Sequence, residues 1–232
     1  MKKNVVVLSG AGISAESGIK TFRDSGGLWE GYDVTEVATP EGFRRNPELV
    51  LEFYNMRRKQ ALDAQPNAGH LALVELEKEY QVSIVTQNVD NLHEKAGSSY
   101  ILHLHGELFK SRSTRRPSLV YEMTGWELKI GDMCEIGSQL RPHIVWFGEA
   151  VPALEEAIEL VRKADVLLIV GTSMQVYPAA GLIDYAPQGI PVYVVDPNLP
   201  AVSGRPNLHL IAEPASTGLA KVAKELLNSS KY

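Results

Sequence analysis

Residues 5–15 read Val5-Val6-Val7-Leu8-Ser9-Gly10-Ala11-Gly12-Ile13-Ser14-Ala15, and this stretch decides the fold class. A β-branched run that stops at a glycine cluster predicts a buried parallel strand leading into a turn. Two glycines and an alanine at the third small position form a variant of the dinucleotide-binding fingerprint, whose backbone can approach a pyrophosphate closely. An ordinary glycine turn between a strand and a helix is the alternative that the loop alone leaves open.

The rest of the chain alternates between strand and helix patterns. Apolar runs recur at residues 82–86, 101–104, 166–170 and 192–195, and amphipathic helical patterns at residues 154–164 and 216–227. Thr39 and Asn46 each precede a proline and a glutamate, the arrangement typical of a helix N-terminus. We therefore predict an α/β fold, a Rossmann-like parallel sheet with helices on both faces.

Two stretches interrupt this alternation. Residues 30–80 look wholly helical and residues 107–140 look irregular, with weak strand signals, so that both are interpreted as insertions. We assign both insertions to a small module. The dinucleotide-binding domain is then made of residues 1–29, 81–106 and 141–232.

Composition excludes several classes of partner. The formal net charge of -5 gives no reason to bind a polyanion across a broad surface. Arg112, Arg115 and Arg116 form only a short cluster, typical of a solvated loop. No apolar run approaches the roughly 20 residues of a spanning helix, and residues 5–8 are too few for a signal peptide. We expect a cytoplasmic monomer without nucleic-acid or membrane partners.

The region after the glycine loop does not fit a hydride-transfer enzyme. In such proteins an acidic residue about 20 positions after the loop ends the second strand and holds the ribose hydroxyls. Here residues 26–32 look like a flexible entry to helices, and Glu30, Asp33 and Glu36 are not expected to end a strand. The loop is therefore predicted to bind NAD, but in a different frame from that of a hydride-transfer enzyme.

Polar residues follow two of the predicted strands. Gln87-Asn88-Val89-Asp90 comes after the strand at residues 82–86, at the sheet edge where ligands bind in open α/β proteins. His103 and His105 alternate with leucines, so that they would share one strand face. An ordinary turn and satisfied structural histidines are the alternatives. A histidine here would suit a general base at neutral pH.

Several motifs occur together and in a fixed order. They are Gly10 to Ala15, Phe22-Arg23, Gln87 to Asp90, His105-Gly106-Glu107, Val145-Trp146-Phe147-Gly148-Glu149 and Gly171-Thr172-Ser173. In this combination, which spans residues 5–222, the chain resembles the sirtuins, which are NAD-dependent protein deacylases.

The resemblance implies roles for individual residues. His105 would be the general base, with Asn88 as a second catalytic residue. Those that would bind NAD are Gly10, Ala11, Gly12, Ile13, Ala15, Phe22, Arg23, Gln87, Asn88 and Asp90, and on the adenosine half Gly171, Thr172, Ser173, Asn198 and Ala215. Asp196 is an alternative to Asn198 for the ribose contact.

The reaction implied by the resemblance consumes NAD. The acyl oxygen of a modified lysine would attack the ribose carbon that bears nicotinamide, and nicotinamide would leave. His105 would then deprotonate a ribose hydroxyl, so that lysine and an acylated ADP-ribose are released. A mobile Phe22 would exclude water from the site.

The resemblance also implies a site for acylated-lysine proteins. Val145, Phe147 and Gly148 would bind the substrate peptide from an extended segment by strand addition, with an ordinary buried strand as the alternative. Tyr54 and Arg57, three apart on a helix, match the pair that binds acidic acyl groups in one sirtuin class, and Ala38 would leave room there. The implied activities are desuccinylation, demalonylation and deacetylation.

The chain departs from the family where most sirtuins hold structural zinc. The positions expected for the four cysteines are Ser113, Arg116, Met133 and Ile136, and Cys134 is one place out of register. Because zinc needs four ligands, we expect no zinc and no other metal. The small module would then be held by apolar contacts, which could use Leu119, Tyr121, Met133 and Ile136.

Two other functions fit parts of the pattern. A mono-ADP-ribosyltransferase would also cleave NAD, but the Tyr54 and Arg57 pair favours a deacylase. A non-catalytic NAD-binding protein would need no base, and Asn88, Asp90 and His105 together argue against it. Lys20 stands where the family usually has proline, which could change the affinity for NAD in either direction.

Overall fold

The computed structural model describes residues 2–20, 28–29 and 31–229, so the predictions for Phe22 and Arg23 lie outside the described residues. The strands are β1 (Asn4–Ser9), β2 (Leu28–Trp29), β3 (Tyr32–Asp33), β4 (Gln81–Thr86), β5 (Ile101–His103), β6 (Gly106–Ser113), β7 (Val120–Glu122), β8 (Leu140–Ile144), β9 (Val166–Val170), β10 (Val192–Val195) and β11 (Leu208–Ile211). The helices are α1 (Gly12–Ala15), α2 (Val34–Val37), α3 (Pro40–Arg45), α4 (Pro47–Asp63), α5 (Ala68–Leu76), α6 (Leu92–Ala96), α7 (Leu154–Arg162), a 3₁₀ helix (Ala179–Tyr185) and α8 (Ala215–Ser229).

A six-stranded parallel sheet forms the centre of the molecule. Its strand order is β11-β10-β9-β1-β4-β5, with Val5 opposite both Val82 and Val166. The strand β1 is central because its apolar run can be buried on both faces. Every predicted apolar run lies in this sheet, and the α/β prediction is confirmed.

Helices cover both faces of the sheet, as predicted. On one face, Leu73 of α5 and Leu219 of α8 are almost fully buried in the same apolar cluster. On the other face, Val161 of α7 and Leu182 of the 3₁₀ helix form a second cluster with the sheet. The sheet thus has its carboxyl edge free to carry a site.

The two predicted helix starts are confirmed. The Thr39 hydroxyl accepts the Gly42 N–H at 2.9 Å at the start of α3, and the Asn46 amide oxygen accepts the Leu49 N–H at 3.1 Å at the start of α4. Each cap satisfies an N–H group that has no partner inside its helix. The 17-residue helix α4 that follows carries both Tyr54 and Arg57.

Asp33 differs from the prediction that it does not end a strand. It does end a strand, β3, but this strand pairs only with β2 in a two-residue antiparallel ribbon outside the large sheet. Its carboxylate accepts the Thr35 N–H at 2.8 Å and caps α2. Asp33 is therefore engaged as a helix cap, away from the edge where a ribose would lie.

The insertion at residues 107–140 is more regular than predicted. The strands β7, β6 and β8 form an antiparallel sheet, in which Ser111 lies opposite Tyr121 and Pro142. The strand signal is weak because β6 buries polar residues, Ser111, Arg112 and Ser113. Polar side chains can be buried where they are hydrogen-bonded. A search for apolar residues along the sequence therefore does not identify this strand.

The division of the chain into a dinucleotide-binding domain and a small module stays a prediction. One helix of the predicted module packs against the large sheet. Helix α5 lies within residues 30–80, yet Ala72, Leu73 and Leu76 pack in the cluster between the parallel sheet and α8. This insertion therefore contributes one helix to the layer that covers the large sheet.

Two of the four residues that were predicted to hold the small module by apolar contacts are exposed. Met133 and Ile136 are 55% and 39% exposed. Instead the fully buried Arg58 of α4 donates to the carbonyl oxygens of Trp126 at 2.6 Å and Leu108 at 3.1 Å. A guanidinium has five N–H donors, so one side chain can join several segments.

Cys134 is also placed differently from the prediction. It lies inside the module, 3.3 Å from the Ser138 hydroxyl, which is 2.7 Å from the Ser113 hydroxyl. Hence Cys134, rather than Met133, faces the Ser113 position. One thiol and two hydroxyls do not make a structural zinc site, which uses thiolate and imidazole ligands, and we assign no zinc there.

None of the helices in the described ranges combines the length and the apolar character that crossing a membrane requires.

Candidate active site

A cavity of 480 Å³ opens at the carboxyl edge of the large sheet. It lies where β1, β4, β9 and β10 end, because Gly10, Gln87, Gly171 and Asp196 all line it. Its volume is within the range of small-molecule sites, and its position is the one that open α/β sheets use for ligands. Predicted residues that line it are Gly10, Ala11, Gly12, Ala15, Ala38, Tyr54, Arg57, Gln87, Asn88, Asp90, His105, Val145, Phe147, Gly148, Gly171, Thr172, Ser173 and Asn198.

Among the predicted residues that the structure describes, two do not line the cavity. Ile13 is fully buried and packs in the core below the loop, and Ala215 is 3% exposed in the same cluster. Their side chains support the floor of the site from beneath.

The glycines of the loop allow two loops to meet. The Gly10 N–H donates to the Val170 carbonyl at 2.9 Å, and the Gly12 N–H to the Gly171 carbonyl at 2.8 Å. A Cβ at Gly12 would lie 2.6 Å from the Gly171 Cα atom. Close contact between these loops therefore requires glycine at position 12, and it brings both halves of the cavity together.

Asn88 and Asp90 are held in one buried hydrogen-bond chain. The Asn88 amide nitrogen donates to the Gly10 carbonyl and the Ser14 hydroxyl, both at 3.1 Å. The Ser14 hydroxyl is bonded to Asp90, which also accepts the Leu92 N–H at 3.1 Å. Burial raises the pKa of the Asp90 carboxyl, although these bonds oppose the rise. Both N–H groups of Asn88 are thus committed, which leaves its amide oxygen as the group available to a ligand.

His105 has one defined tautomer. Its Nδ1 atom lies 3.1 Å from the Gln87 carbonyl oxygen, which can only accept, so Nδ1 carries the proton. The Nε2 atom of the neutral ring then has a lone pair. Burial lowers the pKa of His105, and the bond to Gln87 only partly opposes this effect. At neutral pH the ring is therefore an unprotonated base that lines the cavity.

His103 does not share this role. It ends β5, whereas His105 lies beyond the strand, and only His105 is among the residues that line the cavity. His103 bonds the Asn88 carbonyl at 2.8 Å and Glu94 at 2.7 Å, and Glu94 and the Asn88 carbonyl raise its pKa despite burial. Ligand atoms of Glu94, His103 and Glu107 lie within 4.8 Å, but each belongs to an ion pair, so we assign no metal to them.

A buried polar pair lies at the inner wall of the cavity. Tyr54 is fully buried and Arg57 is 6% exposed, on one side of α4. The Arg57 guanidinium carbon lies 4.3 Å from the Trp29 ring centre, so the ring covers one face of the charge. Ala38, which is 2% exposed, lines the same cavity.

Residues 145–149 are not the extended segment that was predicted. The strand β8 ends at Ile144, and Phe147 and Gly148 form a turn with the Gly148 φ at 87°. A positive φ at this position breaks the strand. The backbone is nevertheless fixed, because the Val145 N–H donates to the His105 carbonyl at 2.9 Å and the Phe147 N–H to the Ala38 carbonyl at 3.0 Å. Phe147 is 49% exposed at the cavity mouth.

The other end of the cavity is formed by the turns after β9 and β10. The Thr172 hydroxyl accepts from the Gln87 amide at 3.2 Å and the Met174 N–H at 3.2 Å. Asp196 is 2% exposed and accepts the Asn198 N–H at 2.8 Å, while Asn198 is exposed. Both therefore remain candidates for a ribose contact.

Two residues of the site carry contacts that the sequence does not predict. Ser14 joins Asn88 to Asp90, and Trp146 donates from its indole nitrogen to the Tyr54 hydroxyl at 3.0 Å. Ser14 is a variable position of the glycine fingerprint, and Trp146 was interpreted as a peptide-segment or core residue. Neither contact joins residues close in sequence, so no local pattern indicates them.

The cavity fits the predicted dinucleotide on its own chemistry. One end has exposed turn residues after two strands, and the other has buried amide, carboxyl and imidazole groups, with the glycine loop between them. A two-part ligand with a charged linker matches this arrangement.

Comparisons with known proteins agree with this interpretation. The model of the Sir2 family matches residues 10–178. The chain is 55% identical to an NAD-dependent protein deacylase of Bacteroides thetaiotaomicron, over 97% of this chain and 98% of that protein. It is 56% identical to an NAD-dependent protein deacylase of Helicobacter pylori, over 97% of this chain and 98% of that protein.

Solved structures are similar along the whole chain. A Sir2 homolog–NAD complex has a TM-score of 0.88 and 38% identity, covering 99% of this chain and 91% of that one. A Sir2 protein bound to an acetylated peptide has a TM-score of 0.77 and 28% identity, covering 99% of this chain and 94% of that one.

Proposed function

This chain belongs to the Sir2 family and is an NAD-dependent protein deacylase, and we propose that it removes acidic acyl groups as well as acetyl groups from lysine. The observation that carries the proposal is the buried pair of Tyr54 and Arg57 at the inner wall of the cavity. NAD is its co-substrate.

The pair suits a carboxylate at the end of an acyl chain. A guanidinium binds a carboxylate with two parallel hydrogen bonds, and a neighbouring hydroxyl can add a third. Burial strengthens these bonds, because little water competes for the charge. Ala38 adds only a methyl group to the same wall, which leaves room for a succinyl or malonyl chain.

Tyr54 remains a hydrogen-bond donor at every working pH. Burial raises the pKa of Tyr54 to about 12, against the lowering effects of Trp146, Arg57 and Arg141. Its oxygen accepts from Trp146, and that contact does not use the hydroxyl proton. The proton is therefore available to an acyl carboxylate.

We assign the general base to His105. Its neutral ring presents Nε2, which can take a proton from a ribose hydroxyl of bound substrate. Bound NAD supplies the glycosidic bond that breaks. Asn88 contributes its amide oxygen, oriented by Gly10 and Ser14, and the buried Asp90 lies beside it to bind the nicotinamide and its ribose.

We assign the substrate peptide to residues 145–148, of which Phe147 and Gly148 form an exposed turn. Val145 and Phe147 use their N–H groups on His105 and Ala38, so this turn is tied to both the base and the acyl pocket. The peptide would bind through backbone groups beside Gly148, which has no side chain in the way. Such binding makes little demand on peptide sequence.

Tyr54→Phe and Arg57→Met test the acyl preference. Each should lower kcat/KM for a succinyl-lysine peptide relative to the acetyl-lysine form about 10- to 100-fold, because each removes a hydrogen bond to a charge. Arg45→Met, at an exposed position of α3, is the matched control and should leave the ratio unchanged. An unchanged ratio in both test variants would refute the acyl assignment.

Acylated proteins are the partners that fit this site. We also propose that the protein is a cytoplasmic monomer, that it binds no nucleic acid or membrane, and that it contains no zinc. The acidic net charge supports the second of these, and the replacement of the zinc cysteines supports the last.

A further inference from the structure

We propose that Trp146 determines the acyl specificity of this site by fixing the direction in which Tyr54 donates its hydroxyl proton. The inference rests on the proposed function, since it assumes that Tyr54 binds an acidic acyl group. It assigns to Trp146 a positioning role, through Tyr54, with no contact to the acyl chain required.

The geometry restricts what Tyr54 can do. The Trp146 indole N–H donates to the Tyr54 oxygen at 3.0 Å, and both side chains are at least 98% buried. An indole nitrogen can only donate, so the Tyr54 proton cannot point toward Trp146. The hydroxyl must then donate in another direction, and the cavity that both residues line is where an acyl carboxylate would accept it.

Trp146 is itself held from three sides. The Arg141 guanidinium carbon lies 3.3 Å from the centre of its ring, and the Phe43 ring centre lies 5.3 Å away. Glu149 accepts the Trp146 backbone N–H at 2.8 Å and also binds Arg141 at 2.7 Å. The indole therefore has a fixed position from which to orient Tyr54.

This arrangement discriminates between acyl groups. A succinyl or malonyl group has a carboxylate that accepts the oriented proton, whereas an acetyl group has none. A phenylalanine at position 146 keeps an aromatic ring but removes the indole donor, so the Tyr54 proton can turn toward other acceptors. Trp146→Phe should therefore weaken binding of the acidic acyl chain, and to the same extent in the ground state and in the transition state.

Steady-state kinetics of Trp146→Phe on matched succinyl-lysine and acetyl-lysine peptides test the proposal. The ratio of kcat/KM values, succinyl over acetyl, should fall about 10-fold, because a bond to a charged acceptor is weakened. The loss should appear mainly as a higher KM for the succinyl peptide. A loss of equal size on both peptides would overturn the proposal, since it would indicate a general packing defect.

A double-mutant cycle with Tyr54→Phe separates this role from the acyl assignment. If Trp146 acts through Tyr54, Trp146→Phe should change the ratio less than about twofold when Tyr54 is already phenylalanine. An undiminished effect in that background would overturn the proposal. If Tyr54→Phe shifts the ratio and Trp146→Phe does not, only this inference fails. If neither Tyr54→Phe nor Arg57→Met shifts it, the proposed acyl preference fails as well.

Discussion

At the scale of single residues, the site depends on groups whose protonation is set by their surroundings. His105 is neutral because burial lowers its pKa, an effect that the bond from Nδ1 to the Gln87 carbonyl only partly opposes. His103, two residues away, has its pKa raised, mainly by Glu94 acting against burial. The pKa values of these two histidines are thus shifted in opposite directions. Only His105, the neutral one, lines the cavity.

The pH profile of the enzyme should report His105. The base is active when unprotonated, so kcat/KM should rise with pH through the pKa of His105 and reach a plateau above it. Because burial lowers this pKa, the midpoint of the acid limb should lie below 6.5, the ordinary value for histidine. His105→Asn should lower kcat about 10²- to 10⁴-fold, since it removes proton transfer to the protein.

A histidine elsewhere provides the control for this prediction. His209 is exposed on β11 and stacks on Tyr193, with ring centres 4.5 Å apart. His209→Gln should keep the acid limb of the wild type. An acid limb that persists unchanged in His105→Asn would contradict the assignment of the base.

At the scale of elements, the small module has buried polar contacts in addition to an apolar cluster around Phe53 and Leu108. The Ser138 hydroxyl bonds both the Ser113 hydroxyl and the Cys134 thiol. The Ser113 oxygen also accepts the N–H groups of Arg115 at 3.3 Å and Arg116 at 3.1 Å. These bonds connect the end of β6 to the loop before β8.

Ser138→Ala should weaken the module. It removes the hydrogen bonds of Ser138 to the buried Ser113 hydroxyl and Cys134 thiol, so the free energy of unfolding should fall by about 1–3 kcal/mol. Denaturant unfolding measures this change, with Ser118→Ala, at an exposed position of the same module, as the control. A chelator should leave the melting temperature of the wild type unchanged. A lower melting temperature with chelator would show that a bound metal stabilises the protein.

At the scale of the whole molecule, the sequence predicts the large sheet well and the small one poorly. The strand β9 is apolar throughout, and β1 and β4 are mostly apolar, because these strands are buried on both faces. The small sheet is built on β6, whose buried polar residues give no apolar pattern. Hydrophobic periodicity therefore identifies the first and misses the second.

In the candidate site, too, some features are predicted from the sequence and others are not. The glycine loop and the polar residues after β4 were predicted because each is a short local motif at a strand end. The contacts of Trp146 with Tyr54 and of Ser14 with Asn88 join residues 92 and 74 positions apart. Only the fold brings these residues together, so the sequence does not reveal them.

Product analysis tests whether the protein is an NAD-consuming deacylase that accepts both acyl groups. The protein is incubated with NAD and a succinyl-lysine peptide, and in parallel with an acetyl-lysine peptide, and the products are followed by mass spectrometry. For each peptide, we predict that nicotinamide, free-lysine peptide and acylated ADP-ribose form in equal molar amounts. Two results would contradict this prediction. One is that nicotinamide forms while the acyl-lysine stays intact and ADP-ribose becomes attached to protein. The other is that no nicotinamide forms.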